Sequence, residues 1–260
     1  MSGHLVSITR YVVKGLSGEA MARLKVAAGR GVPLDRRYAL ALPDTQFDPA
    51  DPVPQPKTKF AMLARNEAMA RYRSRYDEAD EMLHLEGEGV PSLSASLASE
   101  DGRAAVAAAI GDLLADEVGG ALRVVAAPGH RFTDVSVVSA AMMEAISLIN
   151  LGSVRALAVA IGREVDARRF RGNLLVDGLP AWAEFDRLDQ EISIGGLRFR
   201  VVRRTKRCPA TEVDPDTAQR NMRVPAELVR HFGHPDMGVY LQALEDGVLE
   251  PGAAVVLGAA

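Results

Sequence analysis

The sequence predicts an α+β chain dominated by β-structure, with a barrel in its second half, flanking helices, and a smaller β-rich unit ahead of it. Three observations carry that reading. Short runs of β-branched and aromatic residues recur along the chain, bounded by Gly, Pro or Asp. Gly195-Gly196 separates Ile192-Ser193-Ile194 from a run in which Leu197, Phe199 and Val201 alternate with Arg198, Arg200 and Val202, which is the pattern of a hairpin. Helical spacing is confined to a few stretches in the middle of the chain.

Taken in order, Leu5-Val6-Ser7-Ile8 and Tyr11-Val12-Val13 read as strands, Leu16-Ser17-Gly18-Glu19 as a turn, and Arg37-Tyr38-Ala39-Leu40 as a short extended run. From Pro43 to Pro56, five prolines and three aspartates leave no periodicity. This is a surface loop, with room either to move over a site or simply to connect. Phe60 to Ala70 suits helix or strand equally, and Met82-Leu83-His84-Leu85 alternates before the Gly87, Gly89 and Pro91 breakers. Beyond Ser99, Val106, Ile110, Leu113 and Leu114 share a helical face, with Glu100-Asp101 at the N-terminus and Gly119-Gly120 at the end. A boundary between two units falls within residues 95–121, and the division is placed as 1-110 and 111-260. The second unit begins with strand Arg123-Val124-Val125-Ala126. Helices are expected over Ser139 to Asn150 and Ser153 to Ile161, ended by Gly152 and Gly162. Asn173 to Val176, Gly238 to Leu241 and Ala254 to Leu257 read as strands.

Composition narrows the function. The 260 residues are 48% hydrophobic and 25% charged, an ordinary globular balance. A net charge of −3 argues against a general nucleic-acid binder, which needs a basic face to neutralise phosphates. No apolar run is long enough to span a bilayer, so no membrane anchor is expected. Cys208 is the only cysteine. It cannot form an intramolecular disulfide, and the N-terminus lacks a charged segment followed by an apolar run, so a cytoplasmic setting is expected. One thiol also cannot hold an iron–sulfur cluster or a structural zinc site within this polypeptide, so any electrons come from another molecule.

Two readings of Cys208 compete. Six cations (Arg198, Arg200, Arg203, Arg204, Lys206 and Arg207) precede it, and nearby positive charge favours the thiolate that attacks electrophiles or ligates metals. The alternative is a small buried hydrophobe. His231 and His234 are spaced i, i+3, but Gly233 and Pro235 interrupt a helix and no second ligand pair is evident, so a metal site is not expected there.

Several separated motifs resemble one family. Phe170-Arg171-Gly172-Asn173-Leu174-Leu175-Val176-Asp177-Gly178, the hairpin leading to Arg207-Cys208, Val213-Asp214-Pro215-Asp216-Thr217 and the late Gly238-Val239-Tyr240 resemble the MOSC domain. Tyr11 to Glu19, together with Gly31 and Asp35-Arg36-Arg37-Tyr38, resemble the N-terminal β-barrel-like domain that precedes MOSC in the mitochondrial amidoxime-reducing component and its bacterial relatives. That resemblance implies a molybdopterin-type molybdenum cofactor with Cys208 as the metal's protein ligand. It implies that Lys14 and Arg36 meet the cofactor's phosphate end, that Arg171, Asn173 and Arg207 contact the cofactor, and that Asp134 relays protons near the metal. Bland readings stand beside these: surface salt bridges for Lys14 and Arg36, a solvated strand entry for Arg171, and a helix cap for Asp134.

The implied activity is reduction of small N-hydroxylated compounds with an external donor of ferredoxin, flavin reductase or cytochrome type. The alternatives are a persulfide sulfur carrier and a non-catalytic cofactor carrier. Three positions depart from the family: Gly15 where Ser is common after the Lys, Gly172 for a common Pro, and Thr205 for a second Cys of some relatives. The C-terminal ferredoxin cysteines of some bacterial members are also lacking, which implies a separate reductase.

Overall fold

The computed structural model describes residues 1–258. In chain order its first part holds β1 (Ser2–Arg10), β2 (Glu19–Met21), β3 (Leu24–Val26), β4 (Ala39–Ala41), β5 (Arg73–Asp77), β6 (Met82–Glu86), β7 (Leu93–Ser96), α1 (Glu100–Leu113) and β8 (Arg123–Val125). The rest holds α2 (Ala140–Met143), β9 (Ile146–Asn150), α3 (Leu151–Ile161), β10 (Leu174–Asp177), β11 (Glu191–Ile194), β12 (Leu197–Lys206), α4 (Val224–Phe232), β13 (Asp236–Ala243), β14 (Gly247–Leu249) and β15 (Ala254–Val256).

The expected barrel is present. Strands follow one another as β10, β9, β13, β12, β11, β15 and β1, and β1 pairs back onto β10 to close the ring. Closure removes the free sheet edges that would otherwise invite aggregation. Alternation along β12 places Phe199 and Val201 in the interior with Leu5, Ile8, Ile194, Leu241 and Val255, while Arg198 and Arg200 face water. Gly195-Gly196 forms the predicted hairpin, both glycines at positive φ.

Ser139 to Asn150 corrects the sequence expectation. Only Ala140–Met143 is helical, and Ile146–Asn150 is a barrel strand with all five residues buried. A short apolar run without polar alternation fits a fully buried strand as well as a helix, and here it lies between β10 and β13 with α3 against it. Asn150 then caps α3 by accepting from Gly152 N, so Gly152 begins that helix rather than ending the one before. Gly162 ends α3 in the left-handed conformation, as expected. Tyr11-Val12-Val13 leaves the sheet and makes one bridge, from Val13 to Tyr38. Phe60 to Ala70 is neither regular α-helix nor strand, carrying only a 3-10 turn at Glu67–Arg71. Helix α4 lacked a sequence expectation; Pro225 stands in its first turn and Gly233 ends it.

Strand pairing crosses the division expected at residue 110. β1 belongs to the barrel, β8 pairs with β4, and β14 pairs with β3. Outside the barrel, the strands between Tyr11 and Phe132 other than β2 and β3 pair among themselves. They make a three-stranded sheet (β5, β6, β7) and the β4–β8 pair, covered by α1. α1 places Val106, Ile110 and Leu114 against Leu83, Leu85 and Leu97, and Ser99 caps it by accepting from Gly102 N.

Candidate cofactor-binding cavity

Between the barrel and the first unit lies a cavity of about 430 Å3. It gathers Lys14, Arg36, Asp134, Arg171, Asn173, Arg207 and Cys208, so every site residue named from the sequence lines it. Nine lysines and arginines line it against a single carboxylate, Asp134, which makes it a receptor for an anionic molecule.

On the first unit's side, Lys14 follows the Val13–Tyr38 bridge and is buried at 7% exposure. Its Nζ donates to Phe132 O at 3.0 Å and to Asp134 Oδ1. Burial disfavours the ammonium and pulls Lys14 below its ordinary value, with Asp134 opposing. Asp134 also accepts from Lys57 Nζ at 3.0 Å. Burial alone would raise this carboxyl, but the two lysines hold it well below the usual carboxylate range. Asp134 is therefore an ionised acceptor at neutral pH. No helix starts at Asp134; Ser139 caps α2 instead, so the capping reading falls. Lys57 was missed in the sequence because it stands just past the proline-rich loop, with no periodicity or motif to mark it.

Gly15 has a physical reason to replace Ser. Its φ is +88°, a region that favours glycine, and a Cβ there would meet Met69 Cε at 2.7 Å. Gly172 is similarly constrained, since a Cβ would lie 2.4 Å from Ile149 Cγ1.

Arg36 and Arg171 adopt left-handed backbone conformations, φ 50° and 51°, uncommon for residues with side chains. Both guanidinium groups stack on the buried Tyr11 ring, at 4.8 and 4.3 Å from its centroid. Arg36 pairs with Asp35 and donates to Arg171 O at 3.1 Å. Burial would lower Arg36, but Asp35 more than compensates. Arg171 donates to Leu16 O at 2.6 Å and, buried without a carboxylate, falls to about 10.

On the barrel side, Asn173 is committed to the fold. Its amide donates to Thr9 O and Asp35 Oδ1, at 3.1 and 3.0 Å, and its carbonyl accepts from Ser147 N and Oγ, at 3.1 and 2.8 Å. With its side chain so engaged, Asn173 shapes the cavity wall by holding Thr9, Asp35 and Ser147. Arg207 donates to Met237 O and Phe170 O, both at 2.8 Å, and burial lowers it to about 10.

Cys208 is half-buried and opens on the cavity, so the inert-hydrophobe reading does not hold. It precedes a 3-10 turn at Pro209–Glu212, where Thr211 Oγ1 donates back to Cys208 O at 2.9 Å. The six cations before it divide: Arg198 and Arg200 turn away to Glu245 and Glu191, whereas Arg203, Arg204, Lys206 and Arg207 line the cavity. Backbone bulges at 201–203 and 204–206 shift the alternation that would otherwise send every second residue outward. Asp214 serves structure, accepting from Asp216 N and Thr217 N at 3.0 Å and pairing with Arg169 at 2.7 Å. His231 pairs with Glu227 at 3.3 Å and His234 packs on Trp182 and Phe185. Among the described residues no group of three or more His, Cys, Asp or Glu is placed to hold a metal ion.

The lining of the cavity suits an anionic ligand. Beyond its charge, Thr133 Oγ1 and Thr205 Oγ1 are buried in its wall without a hydrogen-bond partner, which a polar occupant would supply. The cavity holds one thiol, Cys208, which would be its one sulfur donor to a bound metal.

Residues 135–256 match the family model described as the MOSC domain. No curated protein matches the chain. Among solved structures, YiiM from Geobacillus stearothermophilus is 23% identical over 44% of this chain and 54% of that one, with a TM-score of 0.35, so the chain spans about half that protein's length. The YUAD protein from Bacillus subtilis is 12% identical over 98% of this chain and 94% of that one, with a TM-score of 0.41. No helix among the described residues is long and apolar enough to cross a membrane. Residues 135–256, which hold six of the seven strands of the closed barrel, thus carry a MOSC domain, a domain associated with binding of the molybdenum cofactor.

Proposed function

We propose that this chain is a molybdenum cofactor-binding oxidoreductase that removes oxygen from N-hydroxylated compounds, with electrons from a separate donor of ferredoxin, flavin reductase or cytochrome type. The observation that carries the reading is the placement of the sole cysteine at the wall of a cation-lined cavity between two units. Cys208 is the metal's protein ligand, and Lys14, Arg36, Arg171 and Arg207 supply the positive charge that holds the anionic cofactor. When bound, the cofactor would supply two-electron redox chemistry, while the protein provides position and electrostatics.

The role implied for Asp134 changes in detail. Held ionised between Lys14 and Lys57, it accepts hydrogen bonds and orients the two ammonium groups. Lys14, donating to Asp134 and to Phe132 O, is held as a cation of that cluster at the cavity wall.

Expression in a cofactor-competent host tests this, followed by metal analysis and assay with an amidoxime and a reduced artificial donor. Stoichiometric molybdenum with turnover supports the oxidoreductase. Molybdenum without turnover replaces it with a cofactor carrier, and a trappable persulfide without molybdenum replaces it with a sulfur carrier.

A further inference from the structure

Charge is unevenly spread along the chain. Residues 77–117 carry eleven Asp and Glu against a single Arg and no Lys, although the whole chain holds 31 Lys and Arg against 34 Asp and Glu. This stretch, which holds β6, β7 and α1, is therefore strongly acidic while the remainder of the chain is net positive. Among the described residues its one ion pair is Arg10 with Glu78, and most of its carboxylates are exposed. A run of like charge is ordinarily a solvated face. Here the face surrounds an open apolar groove of about 1420 Å3, running between α1 and the 121–128 segment that holds β8.

The walls of the groove say what would fill it. On α1, Ala104, Ala108, Gly111 and Ala115 share one helical face and line the space. Gly111 stands in the last turn, where Ala would serve the helix better by up to about 1 kcal/mol, and a Cβ built there meets nothing within 4 Å. Across from it, β8 pairs only with β4, so its second edge leaves backbone N–H and C=O groups without a strand partner. Glu81, Glu100 and Asp112 line the groove, exposed and unpaired. Its three arginines are already taken by carbonyls: Arg37 donates to Ala127 O, Arg103 to Leu97 O and Ala98 O at 2.8 Å each, and Arg123 to Thr45 O at 2.6 Å. The charge left over for an occupant is negative, which disfavours an anionic ligand or an anionic lipid surface and favours a basic one.

We infer that this groove docks an extended, positively charged segment of a partner protein. Its apolar side chains fill the space along α1, its Lys or Arg side chains meet Glu81, Glu100 and Asp112, and its backbone adds to the open edge of β8. The inference goes beyond the proposed function and holds whatever the cavity binds. A partner seated there lies one strip of backbone from the cavity: Arg36 lines the cavity, Arg37 and Tyr38 line the groove, and Tyr38 O accepts from Lys14 N at 2.8 Å.

The test uses the full chain and a fluorescently labelled short peptide in which Val and Lys alternate, with binding read by anisotropy at low and at physiological salt. The wild type should bind this peptide, less tightly as salt rises, and should not bind the same peptide with Glu for Lys. Gly111→Leu builds into open space and suits the helix better, so its thermal midpoint should not fall, yet it fills the groove and should weaken binding by about tenfold. Glu81→Lys combined with Asp112→Lys should weaken it by a similar factor. Binding that Gly111→Leu leaves unchanged overturns the groove as the seat, and equal binding of a peptide with Ser for Val reduces the effect to unspecific charge and overturns it too. A wild-type dimer that Gly111→Leu turns into a monomer places a second copy of the chain in the groove instead of a partner protein. None of these measurements needs molybdenum or turnover, so the docking surface and the proposed function fail separately.

Discussion

The two walls of the cavity hold their polar groups in different ways. On the barrel wall, Arg207 and Asn173 are satisfied by backbone carbonyls, by Ser147 and by Asp35, inside the fold itself. On the opposite wall, Lys14 and Lys57 share one carboxylate, Asp134, whose side chain is 42% accessible at the cavity. A guanidinium locked on carbonyls keeps its direction whether or not a ligand arrives. An ammonium paired with a partly exposed carboxylate can change partner. The barrel wall thus keeps its polar groups fixed while the other wall can re-pair when a ligand arrives, and substitutions should separate the two.

Asn173→Ala gives the largest effect on folding. It strips four buried hydrogen bonds and leaves Asp35 and Ser147 short of partners, at a cost of about 3 kcal/mol in urea unfolding. A loss below about 1 kcal/mol contradicts the assignment of Asn173 to structure.

Lys14→Met works in the opposite direction. Removing a buried ammonium relieves its desolvation while breaking its pair, so stability changes by about 1 kcal/mol or less. Molybdenum retention falls by about tenfold. A variant that unfolds readily yet keeps its metal would merge the two walls into one.

Asp134→Asn probes the carboxylate by pH. Because the folded-state value of Asp134 lies below its unfolded value, its stabilisation is complete above the usual carboxylate range and is lost as pH falls through the folded value. At pH 7 the wild type should exceed the variant by about 1 kcal/mol, a modest figure because the side chain is partly exposed. That difference should disappear in strong acid; a gap that widens on acidification contradicts the pairing.

Arg198→Gln is the smallest change. Arg198 lies on the same strand as Arg207 but faces Glu245 and Glu191 in water. Neither the unfolding midpoint nor the metal content should move, and a loss of metal would restore the view that all six cations of this stretch serve Cys208.

The sequence made the barrel legible where periodicity and turn chemistry agreed, as at Gly195-Gly196 and along β12. It failed at Ile146–Asn150, because burial on both faces erases the alternation that distinguishes strand from helix. Pairings across residue 110 were not legible either: β1 joins the barrel and β8 pairs with β4, contacts set by long-range packing rather than by composition. All seven site residues converge on one cavity, yet their engagement was not readable. Asn173 turned out to brace the wall, and Lys57 carried no motif although it reaches Asp134.

The most direct measurement is the molybdenum bound per chain by the wild type and by Cys208→Ser, both purified from a cofactor-competent host. The account predicts close to one metal per wild-type chain and almost none in the variant, with the unfolding midpoints unchanged because Cys208 is half-buried and packs little of the core. Equal molybdenum in the two proteins would show that the cofactor is held without this sulfur and would contradict the central claim.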